Sequence, residues 1–226
     1  AIACGLLGFI PAQQVFSGLS DSTVVLFAGM FVVGAALFHT GLAQKIGIGI
    51  VKISGTKESS LMFGIMVVSA ALSSCLSNTG TAACLMPVVL GICAAAKIPA
   101  SRQLMPLAYA AGVGGIITLV GTPPNIIVSG ALTSFGYEPF SFFEFAWIGI
   151  PLTFVVIAYM MFIGKYLLPK AELDADQEIE QEIEATVTDS KKQIVSGLIL
   201  AVCIIVMALD LKAISLEMTA IVGALV

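Results

Sequence analysis

Charge is what this sequence has least of. Only 11% of its 226 residues are Asp, Glu, Lys or Arg and 58% are hydrophobic, whereas soluble domains are about one quarter charged. A soluble globular domain is excluded, and an all-α polytopic membrane protein is expected in its place. Residues 59–96 and 103–133 contain no Asp, Glu, Lys, Arg or His at all, which disfavours a proton relay through either stretch, because such relays are built from intramembrane ionisable groups. Histidine is almost missing: His39 stands alone at the end of an apolar run and reads as a helix-end residue rather than a ligand. Cys4, Cys75, Cys84, Cys93 and Cys203 lie in apolar stretches without C-x-x-C spacing, so no metal or redox centre is expected and they read as small buried hydrophobes. The net charge of −4 conceals a local feature, since eight of the fourteen acidic residues fall within residues 172–189. That charge describes one loop, and no nucleic-acid partner is expected.

Against this apolar background one dense polar cluster stands out: Ser73, Ser74, Cys75, Leu76, Ser77, Asn78, Thr79, Gly80 and Thr81. Hydrocarbon offers hydroxyls and amides no partner, so such a patch at membrane depth must be buried in protein or line a wet cavity. The apolar halves flanking it, residues 61–76 and 82–96, are short against the roughly 20 residues of a full span. A re-entrant helical hairpin with its tip at residues 77–80 and its second helix starting near Thr79 fits better. The second irregular place is Gly121-Thr122-Pro123-Pro124-Asn125, inside residues 103–133. Proline has no amide hydrogen and clashes with the preceding turn, so the pair breaks the helix and yields a discontinuous span.

The remaining chain supplies ordinary elements. Residues 23–38 form an uncharged apolar run, and residues 42–57 alternate Lys45, Lys52 and Lys57 with Ile46, Ile50 and Ile53, as in a helix lying on the membrane surface. Residues 145–168 and 194–209 read as spans, joined by the acidic linker. If the hairpin enters from the cytoplasm, every basic residue except Lys212 falls on that side, as the positive-inside rule requires. The expected location is the inner (plasma) membrane, multi-pass, in contact with the lipid bilayer. Residues 1–9 are too short to span and lack a basic leader, while residues 216–226 begin an apolar run that stops at the last residue. The chain therefore reads as one transmembrane region, 1–226, of a longer protein.

Two chemistries follow from the two breaks. A helix N-terminus carries a partial positive charge in unpaired amides and suits an anionic group. Oxygens of Ser73, Ser77, Asn78 and Gly121 are hard ligands of the kind that replace water around Na+. Opposite-sign sites in adjacent broken helices are what an ion-coupled transporter needs, although small polar clusters also serve plain helix packing. A hydrolase using Ser73, Ser77 or Thr79 as nucleophile would need a base within reach, and His39 belongs to another span. A passive channel would need a charged ring or carbonyl filter, and neither pattern is present.

Ser77-Asn78-Thr79, followed by Gly121-Thr122-Pro123-Pro124-Asn125, resembles the first half of the divalent anion/sodium symporters, carriers of dicarboxylates, citrate or sulfate. The resemblance runs from about Ser17 onward. It implies one of two inverted repeats, an elevator mechanism and a homodimeric full-length protein. It implies that Ser77, Asn78 and Thr79, with Thr122 a weaker candidate, contact the small anionic substrate, and that Ser73, Ser77, Asn78 and Gly121 hold sodium, the coupling ion. Residues 21–58 and 145–168 would be scaffold, 59–134 the transport hairpin and broken helix, 169–192 a cytoplasmic linker and 193–226 the start of the second repeat. A sodium-independent anion exchanger of the same fold is the alternative. The second Ser-Asn-Thr and second broken helix of that family have no counterpart in this sequence, so activity is expected of a full-length parent.

Overall fold

The computed structural model describes residues 7, 11, 22–54, 57–96, 98–168, 190–209 and 215–225. Residues 1–9 and the acidic linker lie almost wholly outside them. Among the described residues all regular structure is helical: α1 Ser22–His39, α2 Leu42–Ser54, α3 Glu58–Ser73, α4 Asn78–Ala96, α5 Ser101–Gly114, α6 Pro123–Ser134, α7 Ala146–Tyr159, α8 Ser190–Ala208 and α9 Leu216–Leu225. A π-helical stretch, Met160–Gly164, and a last turn, Lys165–Leu167, extend α7. Among the described residues two helices are long and apolar enough to cross a membrane, Ala146–Leu167 and Lys191–Ala208. Others are apolar but shorter, among them Val24–His39 and Glu58–Ser73.

Helix ends fall where local chemistry puts them. Gly41, at φ 72°, turns the chain between α1 and α2 in a left-handed conformation that costs glycine little. At the hairpin, α3 ends at Ser73 and α4 begins at Asn78, so the turn lies slightly earlier than the polar pattern placed it. The reason is a cap: the Gly80 amide donates to Ser77 Oγ at 3.1 Å and the Thr81 amide to the Ser77 carbonyl at 2.9 Å. A hydroxyl receiving a first-turn amide fixes the helix start. The double proline occupies the first positions of α6, where missing amides cost nothing, and the expected discontinuity is an eight-residue break, 115–122, between α5 and α6.

Packing divides the helices into two groups. Leu61, Ile65, Val68, Leu85, Val89 and Leu107 form one core across α3, α4 and α5. Met62, Met66, Ala110 and Met160 form another that seats α7 on α3 and α5. Arg102 closes the base of this group: its Nη1 pairs with Glu58 at 2.8 Å and its Nη2 donates to the Lys165 carbonyl. On the other side α1, α8 and α9 pack together, with a Cβ at Gly29 only 2.7 Å from the Ala220 backbone. Thr40 meets Ser196 at 2.8 Å, and Lys45 donates to Gln193 at 3.2 Å, tying the α1–α2 corner to α8. The neighbours of α7 are thus α3 and α5.

Candidate functional site

The hairpin turn and the helix break interlock. Ser73, fully buried at the end of α3, places its hydroxyl 2.6 Å from the Ala111 carbonyl and 2.8 Å from Asn78 Oδ1. One hydroxyl hydrogen is shared between two acceptors, and it fastens both hairpin arms to α5. Asn78 turns its amide toward the Gly112 carbonyl, at 3.5 Å. Its Oδ1 lies so close to Gly115 that a Cβ there would collide with it. The break supplies the second half of the lock. Thr118 Oγ1 donates to the Ser74 carbonyl and accepts the Gly121 amide at 3.2 Å. Asn125 Nδ2 donates to the Thr118 carbonyl at 2.8 Å. These bonds satisfy backbone groups that helix termination leaves open, which an apolar surrounding would otherwise penalise.

Of the residues singled out from the sequence, Ser73 and Asn78 are brought into direct contact. Gly121 is buried against the same turn, with the Gly115 and Ser74 carbonyl oxygens 2.5 and 2.8 Å from where its Cβ would sit. Two carbonyls therefore converge on a space that any side chain at this position would fill. Ser77 is half-buried and already engaged as the cap of α4, so its hydroxyl oxygen is directed to the Gly80 amide. Thr79 is exposed, and Thr122, in extended conformation before α6, makes no capping bond through its side chain. Thr118 escaped the sequence reading, and Gly115, which like Gly112 and Gly114 interrupts residues 103–133, was given no part in the site. Thr118 is the one hydroxyl in Ile116-Ile117-Thr118-Leu119-Val120, and that isolation was the available signal.

The lock borders a cavity of about 160 Å3 between the two helix groups, with Cys75, Ser77, Gly80 and Gly121 on one wall and Phe31 and Phe38 of α1 on the other. Phe38 sits over the first turn of α4, its ring edge 2.5 Å from where a Gly80 Cβ would be. Only glycine lets the ring approach this closely. The arrangement offers neutral oxygens and helix-start amides beside an apolar wall. Among the described residues no group of three His, Cys, Asp or Glu side chains is gathered, so the donor set is one of hydroxyl, amide and carbonyl oxygen, suited to a hard cation.

Comparison with known proteins identifies relatives of this chain. The chain is 39% identical over 160 residues to the uncharacterized transporter YfbS of Escherichia coli, an alignment covering 71% of this chain and 26% of that protein. It is 30% identical over 187 residues to the uncharacterized transporter sll0640 of Synechocystis, covering 81% and 30%. It is also 30% identical over 178 residues to the sodium-dependent dicarboxylate transporter SdcS of Staphylococcus aureus, covering 73% and 34%. The alignments thus span roughly a quarter to a third of these relatives. The citrate transporter family model (CitMHS) matches residues 1–226, and the chain, all-helical where described and built around two interlocked helix breaks, belongs to this family of transporters rather than to any class of enzyme.

Proposed function

We propose that this chain is the first half of a secondary transporter that carries a di- or tricarboxylate, such as succinate or citrate, coupled to sodium. The observation that carries the reading is the lock itself: uncharged oxygens and helix-start amides gathered where two helices are interrupted. Discontinuous helices with such ends can present amides to an anion and carbonyls to Na+. The sodium-dependent dicarboxylate transporter SdcS, aligned over 73% of this chain, adds support for both substrate class and ion.

In this reading the α4 amides of Asn78 and Thr79, with the Ser77 and Thr79 hydroxyls, receive a carboxylate, and Thr122 approaches from the break. Ser73 Oγ, Asn78 Oδ1 and the carbonyls beside Gly121 hold the sodium ion. Bound there, the ion would supply positive charge next to the carboxylate and so link the two binding events. Ser77 would contribute to either ligand only by loosening its bond to the Gly80 amide.

The hairpin is proposed to be re-entrant from the cytoplasm. Sixteen residues give α3 a length of about 24 Å, short of a hydrocarbon core of about 30 Å. The two groups are proposed as the parts of an elevator, α1, α8 and α9 remaining in a dimeric scaffold within the inner membrane. Its seat on α3 and α5 leads us to assign α7 to the moving group, in place of the scaffold role implied by resemblance. The decisive experiment is uptake of labelled succinate and citrate into liposomes holding the full-length protein, with and without an inward sodium gradient. Accumulation driven by sodium is expected. Uptake indifferent to sodium but dependent on internal dicarboxylate would make the protein an exchanger and the Ser73 to Gly121 oxygens purely structural.

A further inference from the structure

Two cavities flank the interface between the helix groups, and a block of apolar side chains stands between them. The first, of about 160 Å3, borders the lock and contains Cys75. The second, of about 440 Å3, opens where α1 and α9 begin, lined by Ser22, Ser129, Thr133, Ser134 and Glu217. Its floor is Leu26, Leu119 and Ile126. These three are 5%, 2% and 3% exposed and belong to one cluster with Met30 and Val120, and Met30 and Val120 in turn line the smaller cavity. One cluster of five side chains therefore supplies three to the floor of the polar vestibule and two to the rim of the lock's cavity.

Their origins give the block its meaning. Leu26 and Met30 stand on α1, whereas Leu119 and Val120 come from the break and Ile126 from the first turns of α6. No covalent or polar tie crosses between these five aliphatic side chains. A contact made only of dispersion and apolar burial is non-directional, and it can part and re-form as the groups move. Closed, the five side chains themselves offer no polar group to solvate an ion or carboxylate. A hydrophobic constriction of this kind closes a pore by dewetting.

We propose that Leu26 and Met30 of α1, closed on Leu119, Val120 and Ile126 of the broken helix, form a hydrophobic gate that separates the polar vestibule from the binding lock. Glu217 at the vestibule gives that entrance a negative charge, which favours arrival of a cation ahead of the anion. The assignment of the vestibule to the extracytoplasmic side rests on the proposed membrane topology.

Cys75 provides a native reporter, because it lines the cavity behind the gate. In the full-length protein with every other cysteine replaced, a membrane-impermeant thiol reagent is added outside right-side-out vesicles. Slow labelling of Cys75 is expected in the parent. Leu119→Ala with Ile126→Ala is expected to label about tenfold faster or more, as a rarely open state becomes a common one. Leu26→Ala tests the other jaw independently and should act in the same direction, while Leu119→Phe should not accelerate labelling. Equal rates in parent, Leu26→Ala and the double variant, with all three monodisperse in detergent, would overturn the gate. Labelling is read without substrate, so loss of sodium-driven uptake would count against the proposed function and leave the gate standing. Labelling only from the opposite side of the membrane would overturn the gate's assigned position.

Discussion

Both helix groups use glycine for close approach, Gly114 of α5 lying against the Ala70 backbone of α3 as Gly29 lies against Ala220, but only one of them interrupts its helices. Around α1 and α9 the chain brings helices together by removing side chains: Gly29 meets the Ala220 backbone, and Gly223 lies against Cys203 Sγ. Such contacts leave every helix hydrogen bond intact and need no polar side chain. Around the hairpin and the break the chain interrupts two helices, frees their backbone groups, and then re-satisfies them with Ser73, Asn78, Thr118 and Asn125. Interrupting helices in an apolar medium is costly unless each freed group finds a partner. The return on that cost is a set of oxygens and amides that a continuous helix keeps to itself. We propose that small-residue packing holds a fixed frame and that the interrupted helices make a place for ligands.

Five substitutions sharpen or break this contrast. Asn78→Ala in the full-length protein should have the largest effect on transport. Losing hydrogen bonds to a charged ligand, worth about 1.5–3 kcal/mol, should raise the half-saturating concentrations of both substrate and sodium roughly tenfold to a hundredfold, measured by initial uptake rates. A change in substrate dependence alone would separate the two sites and sink the shared-residue reading. Gly115→Ala should place a methyl group on the Asn78 side chain and cost about 1–3 kcal/mol of stability by overpacking, seen as a lower melting temperature in detergent together with impaired uptake.

Thr118→Val keeps the shape but leaves the Ser74 carbonyl and the Gly121 amide without their partner. Each buried orphan costs about 1–3 kcal/mol, so thermal stability should fall, and sodium dependence should weaken more than in a variant of the frame. Gly29→Ala is that control. Its methyl group would press on Ala220, lowering stability by about 1–3 kcal/mol while leaving sodium and substrate dependence in folded protein unchanged. If Gly29→Ala instead altered ion dependence as strongly as Thr118→Val, the division into frame and site would fail. The smallest effect is expected from Glu58→Gln at the rim of the hairpin base. Its ion pair with Arg102 is partly exposed, with Glu58 34% accessible, and such pairs are worth no more than about 1 kcal/mol.

Much of this was legible in residues that act locally. The double proline at 123 and 124 can only open a helix, because a missing amide and a steric clash need no distant partner. The second hairpin helix, expected from the sequence to start near Thr79, starts at Asn78 because Ser77 caps it. What could not be read was which groups would meet. Thr118 reaches the Ser74 carbonyl across 44 positions, and Ser73 reaches the Ala111 carbonyl across 38. Neither separation has a periodicity to betray it. The neighbours of α7 were hidden for the same reason. Its residues announce an apolar helix, but Met160 and Thr153 carry no mark saying that they will seat on α3 and α5.

By itself, then, the sequence determined the class of medium, the places where helices start and stop, and the family. Scarcity of charge, proline geometry and capping chemistry act within a few residues and leave little choice. Only the tertiary structure decided that the two interruptions lie against each other, that Gly121 rather than any larger residue leaves room between two carbonyls, and that five aliphatic side chains separate the vestibule from the lock. Those outcomes depend on how whole helices pack, and packing is a property of surfaces assembled from residues far apart in the chain.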